Sequence, residues 1–273
     1  MTPAPALFRP DLVASDLDGT LLPPSLEFTP LTASGIDALR AAGVPFVIST
    51  GRMFKSARHM VARLGLISGP IVCYQGALVA DLGTGEWQRH LPIAPESAAE
   101  VVVAMRELRR HVNVYIDDEL YVEDDDKWAR QYAEYAEVGM NVVPDLLAVV
   151  GRPPTKIVIS SEPSDVARLL PELQERWDDH LYVTRSLPHF IEISDPKASK
   201  SSALAYLCDR LGLASERTVA CGDGWNDVDM MRWAGLGVAV AEAADDVRAS
   251  ADLVVPRDEL GSLFAALATA PPG

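Results

Sequence analysis

The sequence has no apolar run that approaches the roughly 20 residues needed to cross a bilayer. Its first ten residues, MTPAPALFRP, have neither the basic start nor the apolar stretch of a secretory signal. Only three cysteines occur, and Cys73, Cys208 and Cys221 lie far apart and mostly inside apolar runs. This spacing argues against a disulfide or zinc framework. We therefore expect a cytoplasmic protein with reduced thiols.

Basic residues are also scarce, since 24 Lys and Arg face 39 Asp and Glu and the net charge is −15. A charge of this sign repels nucleic acid and anionic membranes, so we expect neither as a partner. An anionic substrate is not excluded, because a metal ion and one or two lysines can reverse the sign locally. We expect a small-molecule partner, and a monomer or a weak homodimer.

Short apolar runs recur along the chain, each bounded by glycine or polar residues. They are apolar continuously rather than alternately, which is typical of strands buried on both faces of a parallel sheet. Helical patterns lie between them; one has Thr29 as N-cap and Gly43 as its stop, and another ends at Gly212. This alternation predicts a doubly wound α/β domain built from βαβ units. The runs are LVAS, PFVIST, PIVCY, TVACGD, GVAVA and DLVV.

The middle third of the chain differs, because its polar content rises. HVNVYI and LYVEDDD predict a hairpin, and TKIVISS, LYVTRS and FIEIS predict half-exposed strands. This segment is long enough to bury its own core. We therefore predict a core domain of residues 1–82 and 194–273 and an inserted α/β domain of residues 83–193.

The stretch LVASDLDGTLLPP places Asp16 and Asp18 one residue apart at the end of an apolar run. If the backbone is extended there, both carboxylates point the same way and repel unless a cation or donor lies between them. A solvated turn is the simpler interpretation, because Asp and Gly are ordinary turn residues. A metal or catalytic site is the alternative.

Polar residues close several of the predicted strands. Because ligands of an open parallel sheet bind outside the carboxyl ends of its strands, we expect these residues to converge. Lys200 begins a predicted helix, where its charge adds to the helix-end amides. Oxygen ligands without paired His or Cys favour Mg²⁺. The strand-closing residues are Asp16, Asp18, Ser49, Thr50, Asp223, Asn226 and Asp227.

Four segments in this order carry a resemblance. DLDGTLL, ISTGR, the lysine of SKSSAL and GDGWND match the four motifs of the haloacid dehalogenase superfamily of phosphohydrolases. The chain resembles the Cof-type branch of that superfamily over essentially its whole length. The resemblance implies a Rossmann-like core, a large α/β cap inserted between the second and third motifs, and a phosphatase that uses Mg²⁺.

The resemblance also implies residue roles. Asp16 would be the nucleophile that forms an aspartyl-phosphate, and Asp18 the general acid and base. Such an acid must start protonated, which a neighbouring carboxylate and a partly closed pocket favour. Mg²⁺ would be held by Asp16, the backbone carbonyl of Asp18 and Asp223, and Asp227 would orient Lys200 or a metal-bound water. The phosphoryl-binding residues would be Leu17, Thr50, Gly51, Arg52, Lys200 and Asn226.

Some alternatives stay open from the sequence. Arg52 could reach a substrate or could simply cap the next helix. Haloacid dehalogenases proper lack the second aspartate, so Asp18 favours phosphotransfer. A sugar-phosphate phosphatase is the leading function. A hexose phosphomutase or a pathway-specific phosphatase of the same branch is the alternative, and a non-enzymatic phosphate-binding module is a third.

Overall fold

The computed structural model describes residues 5–23 and 25–272, and the chain divides into two compact units. The first unit extends to Gly51 and also includes Ala57–Gln88 and the chain from Ser199 onward. The second unit consists of Arg52–Ser56 and Arg89–Ala198. The domain boundaries drawn from the sequence stay predictions. None of the helices in the described part of the chain is both long and apolar enough to span a membrane.

Strands and helices alternate along the chain. The strands are β1 (Leu12–Ser15), β2 (Phe46–Ile48), β3 (Pro70–Cys73), β4 (Leu78–Asp81), β5 (Trp87–His90), β6 (His111–Ile116), β7 (Glu119–Val122), β8 (Met140–Val142), β9 (Lys156–Ser160), β10 (Tyr182–Leu187), β11 (Phe190–Ser194), β12 (Thr218–Gly222), β13 (Leu236–Val240) and β14 (Leu253–Val255). The α-helices are α1 (Pro30–Ala41), α2 (Phe54–Ala62), α3 (Pro95–Glu107), α4 (Lys127–Ala136), α5 (Pro163–Trp177), α6 (Lys200–Leu211), α7 (Val228–Trp233), α8 (Asp245–Arg248) and α9 (Leu260–Thr269).

The first unit contains a five-stranded parallel sheet in the order β14-β13-β12-β1-β2. The strand order reverses between β12 and β1, so chain connections leave these two strands toward opposite sides of the sheet. A reversal of this kind opens a crevice at the carboxyl ends of the two strands, where ligands of doubly wound folds bind. The parallel α/β core predicted from the apolar runs is confirmed.

Two helices of this unit begin and end where the sequence predicts. Thr29 caps α1, because its hydroxyl accepts a hydrogen bond from the Thr32 amide at 3.1 Å. Ser199 caps α6 in the same way through the Ser202 amide, and Gly212 ends that helix in the left-handed region at φ +68°. Lys200 is therefore the first residue of α6, as expected. The three cysteines are buried and outside any disulfide.

The run PIVCY does not join the five-stranded sheet. It forms β3, which pairs antiparallel with β4 in a three-stranded sheet of order β3-β4-β5. A single parallel bridge between Ser49 and Val72 places β3 beside the end of β2. The apolar pattern could not distinguish a strand of this small sheet from a strand of the parallel sheet, because three of the four residues of β3 are fully buried.

The second unit is a six-stranded sheet of order β10-β11-β9-β6-β7-β8, mostly antiparallel. The predicted hairpin is confirmed as β6 and β7, joined through Asp117 and Asp118 in the left-handed region. Helices α3 and α5 cover one face of the sheet with apolar side chains.

The prediction of half-exposed strands in this unit was wrong for β9 and β11, because all five residues of β9 and four of the five residues of β11 are buried. The second face of the sheet is covered too. Tyr132 of α4 stacks edge-on against Tyr115 of β6 and Phe190 of β11. Polar residues on this face, such as Lys156, are buried beneath the aromatic rings, so a polar pattern did not mean exposure.

Candidate active site

The carboxyl ends of β1 and β12 bring two aspartates together. Asp16 follows β1 directly, and Asp223 follows β12. The amide of Asp16 donates to the Cys221 carbonyl at 2.9 Å, which holds the two strand ends in register. These are the strands between which the sheet order reverses, so the pair lies in the crevice expected of the fold.

A third aspartate joins them. One carboxylate oxygen from each of Asp16, Asp223 and Asp227 lies within 4.8 Å of the others. The Lys200 ammonium lies between two of these carboxylates, with Nζ 2.5 Å from Asp16 Oδ1 and 2.5 Å from Asp227 Oδ1. The Lys200 side chain is wholly buried, and Asp16 and Asp227 are 5% and 1% exposed. The structure thus brings four predicted site residues into one buried ionic cluster.

Burial sets the electrostatics of this cluster. It raises the pKa of Asp16 well above its usual range, Lys200 opposes the shift, and Asp227 and Asp223 add to it. Burial also raises the pKa of Asp223, against the Thr20 hydroxyl that donates to its Oδ1 at 2.8 Å. For Lys200, burial favours the neutral amine, but Asp16 and Asp227 raise the pKa above its usual value and keep the ammonium charged.

The cluster has the charge and chemistry of a cation site. The three carboxylates face the Lys200 ammonium, and the Arg257 guanidinium also acts on Asp223, so ionised carboxylates still outnumber these cations. Such an excess of negative charge in a largely buried place is costly unless a further cation balances it. The donors are oxygens only, the set that suits Mg²⁺ or another hard divalent cation. The residues present fit a divalent metal ion.

Asp227 is the least suited of the three to hold the ion. Its Oδ1 binds Lys200, and its Oδ2 accepts hydrogen bonds from the amides of Asp223 at 3.0 Å and Gly224 at 2.9 Å. Both oxygens are therefore engaged in orienting neighbours. Asp16 and Asp223 are left as the carboxylates best placed for the metal ion.

The loop after β1 fits closely against Asp223. Gly19 has φ +88°, and a Cβ there would lie 2.2 Å from Asp223 Oδ2. The Arg257 guanidinium donates to the Gly19 carbonyl at 2.8 Å and fixes the loop from the other side. Only glycine satisfies both the conformation and the space at this position.

The position of Asp18 differs from the one that the sequence predicts. Strand β1 ends at Ser15, so Asp16 and Asp18 do not lie on one face of an extended strand. Asp18 is exposed, and the carboxylates that crowd Asp16 are Asp223 and Asp227. The repulsion inferred from the DLD spacing therefore comes from residues distant in sequence, and Lys200 is the cation that opposes it.

The phosphoryl-binding residues predicted from the motifs differ in how far they are exposed. Thr50 is fully buried and its amide donates to the Val72 carbonyl at 2.9 Å, whereas Asn226 is exposed. Leu17 is fully buried as well, and its part in phosphoryl binding stays a prediction. Ser49 is buried, and no hydrogen bond to its Oγ comes from the residues described.

Arg52 groups with the second unit. Its guanidinium lies 3.4 Å from Glu137 Oε2 and 3.2 Å from Ser56 Oγ, and its side chain is 16% exposed. A role for Arg52 in phosphoryl binding stays a prediction. The sequence offered a substrate contact or a helix cap for Arg52. It could not indicate Glu137 as a partner, because Glu137 is 85 residues away along the chain.

Sequence reasoning missed one residue beside the site. Gln75 follows the end of β3, and its side-chain oxygen accepts a hydrogen bond from Asn226 Nδ2 at 3.0 Å. A signal for it was present, because Gln75 is the polar residue after the apolar run PIVCY.

The comparisons with known proteins agree with this geometry. The sequence model of one family, described as haloacid dehalogenase-like hydrolase, matches residues 13–267. Phosphoglycolate phosphatase of Archaeoglobus fulgidus is 28% identical over 250 residues, covering 92% of this chain and 92% of its own. The 5-amino-6-(5-phospho-D-ribitylamino)uracil phosphatase YitU of Bacillus subtilis is 28% identical over 256 residues, covering 92% and 94%.

A solved structure is similar over nearly the whole chain. The crystal structure of TM0651 from Thermotoga maritima superimposes with a TM-score of 0.85 at 30% sequence identity, covering 96% of this chain and 97% of that one.

Proposed function

The chain belongs to the haloacid dehalogenase-like hydrolases, as its four motifs predicted, and we propose that it is a Mg²⁺-dependent phosphatase of small phosphorylated metabolites. Sugar phosphates are the substrate class that we propose to test first. The observation that carries the proposal is the buried cluster in which the Lys200 ammonium lies 2.5 Å from both Asp16 and Asp227, with Asp223 beside them.

The proposed metal site uses Asp16, Asp223 and the backbone carbonyl of Asp18. A bound Mg²⁺ would neutralise negative charge on the carboxylates and on the phosphoryl oxygens. Two features of the cluster support the assignment: its donors are oxygens, and its three carboxylates outnumber the cations that act on them, Lys200 and Arg257.

In the proposed first step, an Asp16 carboxylate oxygen attacks the phosphorus of the bound ester. The bond between phosphorus and the ester oxygen breaks, and Asp18 gives its proton to that leaving oxygen. In the second step, Asp18 takes a proton from a water molecule whose oxygen attacks the phosphorus of the aspartyl-phosphate. The bond to Asp16 breaks, inorganic phosphate leaves, and both carboxyl groups return to their starting forms.

Lys200 would hold a phosphoryl oxygen as well as Asp16, with Asp227 keeping its ammonium in place. Thr50, the Gly51 amide and Asn226 would supply further donors. Asp18 is exposed, so it can exchange protons with a leaving group and with water. Asp16 lies beside the Lys200 ammonium, which favours the ionised carboxylate that a nucleophile needs.

The relatives support a small phosphate ester as the substrate but do not narrow it to one compound. One is named a phosphoglycolate phosphatase and the other a phosphatase of a phosphoribitylamino-uracil. These two named substrates have little in common except the phosphate group. We therefore assign the recognised group as the phosphoryl group itself.

Phosphate release from a panel of phosphorylated metabolites tests the proposal. We expect turnover of at least one sugar phosphate with Mg²⁺ present, and no turnover after chelation. Transfer of phosphate back to a substrate in the presence of a sugar bisphosphate would indicate a mutase instead. Absence of turnover across the panel, with phosphate binding retained, would favour the non-enzymatic alternative.

A further inference from the structure

The chain makes a left-handed turn directly after β3. Tyr74, Gln75 and Gly76 have φ values of +52°, +56° and +100°. Glycine adopts this region readily, but tyrosine and glutamine do so rarely, because their Cβ crowds the backbone carbonyl. Two such residues in succession persist only where the surroundings fix them, and strain of this kind clusters at functional sites.

The backbone of the turn contacts two segments of the proposed active site. The Gln75 amide donates to the Thr50 carbonyl at 3.1 Å. A Cβ on Gly76 would lie 2.0 Å from the Ser199 carbonyl oxygen and 3.0 Å from the Lys200 amide nitrogen. The turn is therefore packed between the segment that follows β2 and the first turn of α6.

The Gln75 side chain contacts the third segment. Its Oε1 accepts the hydrogen bond from Asn226 Nδ2 at 3.0 Å. A Cβ on Gly51 would lie 2.4 Å from Gln75 Nε2, so the amide of Gln75 lies against the Gly51 backbone. One half-buried side chain thus spans from Gly51 to Asn226, two of the proposed phosphoryl-binding residues.

We propose that Gln75 is a positioning residue, which orients the Asn226 amide and the Thr50–Gly51 backbone for the phosphoryl group. The proposal rests on the phosphatase reaction proposed above. Asn226 is exposed, and an exposed amide rotates freely unless it is held. An acceptor at Gln75 Oε1 fixes the Asn226 NH₂ group in one direction and leaves its second N–H for a phosphoryl oxygen. Donors oriented in advance contribute most to transferring a charged group.

The strained backbone gives a sharp test, because glycine can replace Gln75 without strain. Gln75→Gly keeps the left-handed turn and deletes only the side chain. We expect kcat/KM for p-nitrophenyl phosphate to fall about fivefold or more, while the thermal midpoint stays within about 2 °C of wild type. Gln88→Ala, at another half-buried glutamine of the first unit, is the matched control and should stay within about twofold.

A double-mutant cycle separates positioning from a general structural role. If Gln75 acts through Asn226, Gln75→Gly should cost little further activity in an Asn226→Ala protein. Effects that multiply in full, or a Gln75→Gly protein as active as the Gln88→Ala control, would overturn the inference.

Binding of inorganic phosphate, measured by calorimetry, provides a readout that needs no turnover. We expect Gln75→Gly to weaken this binding relative to Gln88→Ala. If the wild type binds phosphate but releases none from any ester, the phosphatase proposal fails and the calorimetry alone decides on Gln75. If the wild type does not bind phosphate either, both proposals fail.

Discussion

Replacing Lys200 with alanine should destabilise the protein far more than replacing its neighbour Lys197. The Lys200 ammonium makes two buried ion pairs, each 2.5 Å long, whereas the Lys197 side chain is exposed. Removing one partner of a buried ion pair costs about 3–5 kcal/mol, because the remaining charges stay buried without compensation. Losing an exposed charge costs under about 1 kcal/mol. Lys200→Ala should therefore lower the free energy of unfolding by a large share of the 5–15 kcal/mol typical of a domain.

Urea unfolding followed by circular dichroism, in chelator and then in Mg²⁺, measures this difference. In chelator, Lys200→Ala should lose about 3–5 kcal/mol relative to Lys197→Ala. Mg²⁺ should stabilise Lys200→Ala more than it stabilises the wild type, because the variant has lost the cation that opposes the three carboxylates.

A control experiment uses Asp227, one of the two carboxylates that lose their ion pair when Lys200 is replaced. If unpaired Asp227 causes part of the loss, Asp227→Asn should recover stability in a Lys200→Met protein although it removes a second ionic group. Equal losses of stability for Lys200→Ala and Lys197→Ala, or no recovery in the double variant, would show that the buried ion pairs of Lys200 do not stabilise the fold.

On the best substrate, Lys200→Ala should also lower kcat by roughly 10²–10³, at least about tenfold more than Lys197→Ala.

Three further predictions follow from the geometry. Gly19→Ala should abolish phosphatase activity by displacing Asp223, while Gly69→Ala, with φ +92° and open space around its Cβ, should keep most of it; equal activities would contradict the close fit. Chelation should remove activity and Mg²⁺ restore it, whereas Ca²⁺ should restore little, since its higher coordination number can draw both oxygens of Asp16 onto the metal. Burial lowers the pKa of His90, so below about pH 6.5 the unfolded chain binds a proton at this residue more readily than the folded chain does. The urea midpoint of the wild type should therefore fall as the pH drops below about 6.5, and it should fall less in His90→Gln.

Much of the cluster could be predicted because it depends on where strands end. Asp16 and Asp223 follow continuous apolar runs, and Lys200 follows a serine that caps a helix. The carboxyl ends of parallel strands meet at one edge of the sheet, which accounts for Asp16 and Asp223. Helix α6 precedes β12 and begins at the same edge, where Lys200 contacts Asp16. The motifs then indicated which chemistry such a set performs.

The remaining features depend on contacts between distant parts of the chain. Strand β1 ends at Ser15, three residues before Asp18, and Asp18 is exposed. The burial of Lys156 depends on aromatic rings from other elements. The place of Gln75 depends on the bridge that sets β3 beside β2, which no local pattern encodes.

Trapping the phosphoryl group on the protein tests whether Asp16 is the nucleophile. The wild type is quenched in acid during turnover of its best substrate, reduced with borohydride and digested, and the peptides are identified by mass spectrometry. We predict modification at Asp16, with no modification and no turnover in Asp16→Asn, whose amide cannot act as the nucleophile. Modification at another residue, or an Asp16→Asn protein that keeps more than about a hundredth of wild-type activity, would contradict it.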